Sequence, residues 1–281
     1  MDWTVYWFQS IACFAFASVA MFSGISGAAL MFPWFIMGFA LLGLPEISIE
    51  QAIAASIFLE SSAFCIGIYL YWRRGYIHWP TVRKLVVFVV PSAVVGAFLA
   101  HRAPELALRA VYSLLMLGVA WLLFKRVRKD MKQKDNSRQS RASTSSGLQL
   151  RGAGLHQILS GCGAFLTGLI STGIGEVTQP SLIVRSRYPV PIAAATSIVL
   201  VAAANISAVS IHFSQLIAAE GISAIPWNLV VWGVPGMVAG ASVGAWLQGR
   251  VNELAARKFF IGLFLLLAVS FLAYSLGELA L

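Results

Sequence analysis

Charge is what this chain has least of. Only 11% of its 281 residues are Asp, Glu, Lys or Arg, against about 25% in a water-soluble domain. None at all stands between Trp3 and Pro45. One bilayer crossing needs about 20 apolar residues, so that single run holds enough for two. With 59% hydrophobic residues and a mean hydropathy of +0.80, a soluble core is excluded. The fold class expected is an all-α polytopic membrane protein.

Other absences narrow the function. The first Lys or Arg is Arg73, so the basic n-region of a signal peptide is missing and the first apolar segment is expected to stay. Cys13, Cys65 and Cys162 stand singly without paired spacing, which leaves them as small buried hydrophobes. No G-x-x-x-x-G-K-[ST] run occurs, so direct nucleotide drive is unsupported. His78, His101, His156 and His212 have no metal-ligand spacing and are expected at the interfaces. No convergent set of His, Asp, Glu or Cys marks an enzyme; neither cofactor nor metal is expected.

What charge there is, is clustered. Lys125 to Arg151 carries nine Lys and Arg against Asp130 and Asp135, +7 of the net +9. Rich in Ser, Asn and Gln, it reads as a flexible cytoplasmic linker that touches anionic lipid heads. No aromatics interleave it, so nucleic acid is not the expected partner. It divides the chain into a first membrane repeat (1–124), the linker (125–151) and a second membrane repeat (152–281).

The two repeats carry the same landmarks in order. Gly24-Ile-Ser-Gly27 with Pro33 answers Gly173-Ile-Gly175 with Pro180. Ala54-Ala-Ser56-Ile57 answers Ala195-Thr-Ser197-Ile198, and Pro91 with Gly96 answers Pro235 with Gly240. Six single spans are expected near 51–72, 81–100, 108–124, 191–212, 227–247 and 259–276. The regions Trp3 to Leu44 and Gly154 to Val184 do not fit one crossing each. If each goes in and returns, every half adds an odd number of crossings and the second half is inverted. Eighteen of the 20 Lys and Arg then lie inside, as the positive-inside rule requires. Single crossings would leave thirteen inside. Inversion is therefore expected, with the linker cytoplasmic and both termini outside.

Inverted repeats with interrupted helices are a plan of secondary transporters, which place the substrate where the interruptions meet. Glycine costs about 1 kcal/mol in a helix interior relative to alanine and lets a ligand approach the main chain. Unwound backbone at membrane depth must be buried or line a cavity. Helix N-termini restarting there, with Pro33 and Pro180 in their first turns, would aim free N–H groups at an anion. Gly24, Ser26, Gly27, Thr172, Gly173, Gly175 and Gln179 are the candidate anion-binding residues of the breaks. Ser56, Thr196, Ser197 and Asn205 are those of the following spans. Close helix packing is the alternative for the glycines, especially Gly96, Gly240 and Gly244; interhelical hydrogen bonds are the alternative for the hydroxyls and Asn205.

Two carboxylates stand inside apolar segments. Glu176 follows the second break directly, and Glu60 lies on the span after the first. A mid-membrane charge costs about 2.5–3.5 kcal/mol on insertion scales and usually serves a function. Both are candidate proton-coupling groups; a helix-start cap is the alternative for Glu176 and an interhelical hydrogen bond for Glu60. Arg185 and Arg187 are expected at the cytoplasmic rim rather than on the anion.

The doubled break, the Ala-Thr or Ala-Ser turn and the P-x4-G spacing resemble the TauE/SafE sulfite exporter family over the whole chain outside the linker. The stretch from Gly173 through Gln179 and Pro180 to Ser197 is the most specific part. The family's first break is commonly G-x-G-G-G where this chain has Gly24 to Ala28, and Glu176 stands at a typical glycine. The resemblance implies export of sulfite or an organosulfonate across the bacterial inner membrane, without catalysis. A non-catalytic scaffold subunit and a permease for another small organic anion are the alternatives; the sequence does not address oligomeric state. A reporter that works only outside the cytoplasm, fused after Leu281, is expected to be active, and a cytoplasmic reporter there silent.

Overall fold

The computed structural model describes residues 5–23, 26–133, 150, 152–247 and 261–273, and among them there are ten helices and no strand. In chain order they are α1 (Gln9–Ser23), α2 (Ala28–Leu41), α3 (Ile49–Arg73), α4 (Trp79–Ala100) and α5 (Glu105–Gln133). Then follow α6 (Ala153–Ile170), α7 (Ile174–Arg185), α8 (Val190–Glu220), α9 (Trp227–Leu247) and α10 (Ile261–Ala273). Five of them, α3, α4, α6, α8 and α9, are long and apolar enough to cross a membrane. Where water is absent each backbone N–H and C=O must be paired within its own segment, and a helix achieves this.

Both unusual regions are broken where the glycines stand: α1 stops before Gly27 and α2 starts at Ala28, while α6 stops at Ile170 and α7 starts at Ile174. The prolines do a different job from the one expected. Neither opens a helix. Pro33 ends the first α-helical stretch of α2 and is followed by a π-helical turn, Trp34–Gly38, before α-helix resumes at Phe39–Leu41. Pro180 lies inside α7. The start of α3 follows the sequence rules: Ser48 Oγ accepts from Gln51 N at 3.2 Å while Gln51 Oε1 accepts from Ser48 N at 3.1 Å, a capping box. The α5 helix continues to Gln133, beyond the expected end of its span at 124; the rest of the basic stretch lies outside the described residues apart from Leu150.

The chain forms two compact units. One takes Met1–Arg102 and Thr144–Gln248, the other Ala103–Ser143 and Gly249–Leu281. The second holds α5 and α10, with the rings of Tyr112 and Phe271 5.0 Å apart and Arg109 paired to Glu105 within α5 at 3.5 Å.

The first unit is built from matching pieces of the two halves, α1–α4 and α6–α9. Its seams are glycine-lined. A side chain at Gly236, Gly240 or Gly244 of α9 would run into the α1 backbone at Ser10, Phe14 and Ser18 respectively; one at Gly96 or Gly168 would do the same between α4 and α6. These contacts are main chain on main chain, the small-residue packing that holds helices together in lipid. Gly96, Gly240 and Gly244 are therefore packing residues.

The pairings also fix direction. Ser10, Phe14 and Ser18 meet Gly236, Gly240 and Gly244 in ascending order, so α1 and α9 run the same way. So do α3 and α9, since Gln51, Leu59 and Arg74 meet Ala224, Gly233 and Ala245. Likewise α4 and α8 run together, with His78 on Thr196 and His101 on His212, and α4 and α6, with Ser92 beside Gly161 and Ala97 beside Gly168. The central pair is opposed: Phe58 stacks on Phe213 at 5.5 Å and Glu60 meets Asn205. Thus α1 and α3 share one direction and α4 takes the other, whereas α6 and α8 share the second direction and α9 takes the first.

The cysteines and histidines depart from expectation. Only Cys13 is buried; Cys65 and Cys162 are exposed, on the outward sides of helices that carry many exposed apolar residues. His156 and His212 are fully buried rather than interfacial, each satisfied by hydroxyl, imidazole or carbonyl partners. Overpacking a tight contact costs about 1–3 kcal/mol. Gly240→Leu is therefore expected to lower the thermal midpoint in detergent on the order of 5 °C. Gly118→Leu, with nothing near it, should leave the midpoint unchanged.

Candidate functional site

A broken helix leaves backbone donors unpaired at the restart, and in this protein two carboxylates take them. Glu176, in the first turn of α7, reaches back so that its Oε2 accepts from Gly173 N at 3.1 Å. Its Oε1 accepts from Ser26 N at 2.9 Å, at the break of the other half. Glu60 of α3 serves the start of α2: its Oε1 accepts from Ala28 N at 3.1 Å and from Ser26 Oγ at 2.8 Å. Its Oε2 accepts from Asn205 Nδ2 of α8 at 2.8 Å. Ser26 is the bridge, giving its N–H to one carboxylate and its O–H to the other. The cap and interhelical-bond readings of Glu176 and Glu60 thus hold together in one network.

The backbone around this network is shaped to stop and restart a helix. Ser171 caps α6 with φ 63° and Gly173 opens α7 with φ 147°. Such angles are strained for residues with a Cβ. Ile174 N, one of the freed donors, is accepted by Thr167 Oγ1 of α6 at 3.0 Å. Gly163 and Gly173 lie face to face, and a Cβ on Gly173 would also strike Leu166. Gly173 is thus fixed by its backbone angle and by packing. A Cβ on Gly27 would lie 3.2 Å from Ala20 Cβ and 3.6 Å from Glu60 Oε1, which places that glycine over the carboxylate.

Of the residues expected to bind an anion, Ser26, Gly27, Thr172, Gly173 and Asn205 gather here with Glu60 and Glu176. Thr172 neighbours the Glu176 carboxylate without a well-formed hydrogen bond. Ser171 Oγ, Ser197 Oγ and Asn205 Oδ1 are buried polar atoms without a hydrogen-bond partner. Gly175 and Gln179 are buried in α7. Gly24 lies outside the described residues. Two residues point their bonds elsewhere: Ser56 Oγ donates to Ala52 O of its own helix at 2.6 Å, and Thr196 Oγ1 accepts from His78 N at 3.1 Å. Arg185 and Arg187 are exposed.

The expectation of free amides awaiting an anion is corrected by this geometry. The N–H groups of Ser26, Ala28 and Gly173 are all engaged by Glu60 and Glu176. The reason is physical: uncompensated donors in a dry interior cost about 1–3 kcal/mol each, and a carboxylate is the strongest acceptor the chain has.

Sequence reasoning missed three polar clusters that brace the site. His156 contacts Ser181 Oγ and Ser186 Oγ, both at 3.0 Å. His212 donates through Nε2 to the Gly168 carbonyl at 2.8 Å and meets His101 at 3.1 Å. Thr81 Oγ1 lies 2.8 Å from Tyr188 Oη and 2.9 Å from His78 Nδ1, and burial together with Lys84 holds His78 below its usual range. No short-range motif announces them, because partners such as His101 and His212 are far apart along the chain.

Helices broken at facing positions, in an apolar bundle joined by glycine seams, define the class: a polytopic membrane protein with a polar centre. The sulfite exporter TauE/SafE family model matches residues 10–271, nearly the whole length, and the chain belongs to that family of membrane transporters. No curated protein and no solved structure matches it.

Gly173→Ala is expected to destabilise the protein by about 2 kcal/mol or more, from backbone strain and collision together. Gly154→Ala, at an open position, should differ little in the same denaturant titration.

Proposed function

We propose that this protein is a secondary transporter that exports a small sulfur-containing oxyanion, sulfite or an organosulfonate, across the bacterial inner membrane. It works by alternating access between two inverted halves and is proton-coupled. The observation that carries the reading is the meeting of both helix breaks at one buried polar point, through Ser26, in a chain of this family. The opposed directions of corresponding helices support inversion, since α1, α3 and α4 run against α6, α8 and α9. Transporters built this way rock one half against the other around a site at the centre.

The division of labour follows from the chemistry. Ser26, Thr172 and Gly173, with Ser171 beside them, supply hydroxyl and amide donors of the kind that bind oxyanions without a fixed positive charge. Asn205 and Ser197 offer further polar atoms. Glu60 and Glu176 are the groups able to carry a proton across the apolar middle. The linker stays cytoplasmic and both termini lie outside.

Flux of sulfite and of simple sulfonates into or out of reconstituted vesicles, with and without a pH gradient, tests the reading. Glu176→Gln is expected to retain anion binding and lose the pH dependence of flux. Turnover of the anion to a new product, or the absence of any anion flux, would contradict it.

A further inference from the structure

Two carboxylates occupy donors that suit the anion, and this creates a conflict. Glu60 and Glu176 are buried and linked through Ser26. Among the described residues no Lys, Arg or His donates a hydrogen bond to either. The groups facing Glu60 are Ser26, Ala28, Asn205 and Glu176; Cys13 of α1 lies beside its neighbour Leu59. Those facing Glu176 are Ser26, Thr172 and Gly173. From the helices packed on α7, His156 is turned to Ser181 and Ser186, and His212 to Gly168 and His101. A second anion entering this place would meet uncompensated negative charge, and burying such charge costs several kcal/mol per ion.

Resting on the anion-transport reading, we propose that Glu176 is a tethered stand-in for the transported anion. The anion binds by taking the Ser26 and Gly173 amides from Glu176, and the displaced carboxylate leaves them as the neutral acid after accepting one proton from the buffered bulk solution. Charge balances, one proton entering with each monoanion. Glu176 is the displaced group because it keeps a little exposure and its carboxylate sits on the amides of both break ends, Ser26 and Gly173, whereas Glu60 is fully enclosed and ties Ser26 Oγ, Ala28 N and Asn205 together. Displacement would free donors in the same three-residue break where the Ser171 and Thr172 hydroxyls lack hydrogen-bond partners. Asn205 Oδ1, buried and unpartnered on the side chain that grips Glu60, offers a further acceptor beside the network. Glu60 is a positioning residue that holds Ser26 and the start of α2.

A proton is favoured over a metal cation as the exchanged charge. The carboxylate oxygens already face N–H and O–H donors, and helix N-termini repel cations.

The test is anion binding to the purified full chain, using methanesulfonate and sulfate, whose charges do not change near neutral pH, and then sulfite. Proton uptake is read by calorimetry in buffers of different ionisation enthalpy. Wild type is expected to take up about one proton per methanesulfonate, with affinity falling about tenfold per pH unit as pH rises. Glu176→Gln should bind with no proton uptake and no pH slope; Glu220→Gln, at an exposed carboxylate away from the breaks, should keep both. Binding without proton uptake by wild type overturns the proposal even if a variant fails to fold. So does an unaltered slope in Glu176→Gln, loss of the slope only in Glu60→Gln, or binding that requires sodium in place of choline. In each of these cases the permease reading stands. If none of the three anions binds at any pH, that reading and the proposal fall together.

Discussion

In the middle of a membrane no water is available to satisfy a backbone that leaves its helix. Everything particular about this protein follows from how it meets that requirement twice. Each break frees amide donors, and each is answered by a carboxylate: Glu176 from within its own helix start, Glu60 from the neighbouring α3. A single serine ties the answers together, so that neither break is complete without the other half. The result is a polar centre whose parts come from four helices and would be costly in any of them alone.

The apolar scaffold exists to hold that centre in register. Lipid offers no hydrophobic drive between helices, so the bundle relies on close contact, and glycines remove the side chains that would prevent it. The ascending pairings of Ser10, Phe14 and Ser18 with Gly236, Gly240 and Gly244 lock α1 to α9 over several turns. The equivalent seam of α4 on α6 does the same on the other side. Helices α3 and α8 cross between the seams with opposed directions, which brings Glu60 to Asn205. Histidines pin α4 to α8 near both ends, through His78 at one and His101 with His212 at the other.

Much of this was legible in the amino-acid order. Long charge-free runs announce membrane helices, and their limits fall close to the observed ones in α3, α4 and α9, while α8 runs on to Glu220, eight residues past its expected end at 212. The glycine clusters beside Ser26 and Thr172 mark both breaks, because little else tolerates an interrupted helix at such depth. Glu60, Glu176 and Asn205 stand out as rare polar groups, and they converge. What the order did not reveal is who satisfies whom. Ser26 bonding across to Glu176, or Thr196 turning to His78, depends on packing between distant segments. Pro33 and Pro180 misled for a related reason: a missing N–H suits a helix start, yet both stand inside helices that begin earlier, at Ala28 and Ile174. The burial of His156 and His212 was likewise hidden, since their partners are nonlocal hydroxyl, carbonyl and imidazole groups.

The central claim is that the two breaks form one anion place, guarded by their own carboxylates. Electron density for the protein crystallised with a brominated alkanesulfonate tests it most directly, because bromine locates the ligand without ambiguity. The account predicts the sulfonate oxygens on the Ser26 and Gly173 amides, with the Glu176 side chain turned away from them. A sulfonate bound elsewhere, with both amides still on Glu176, would contradict it.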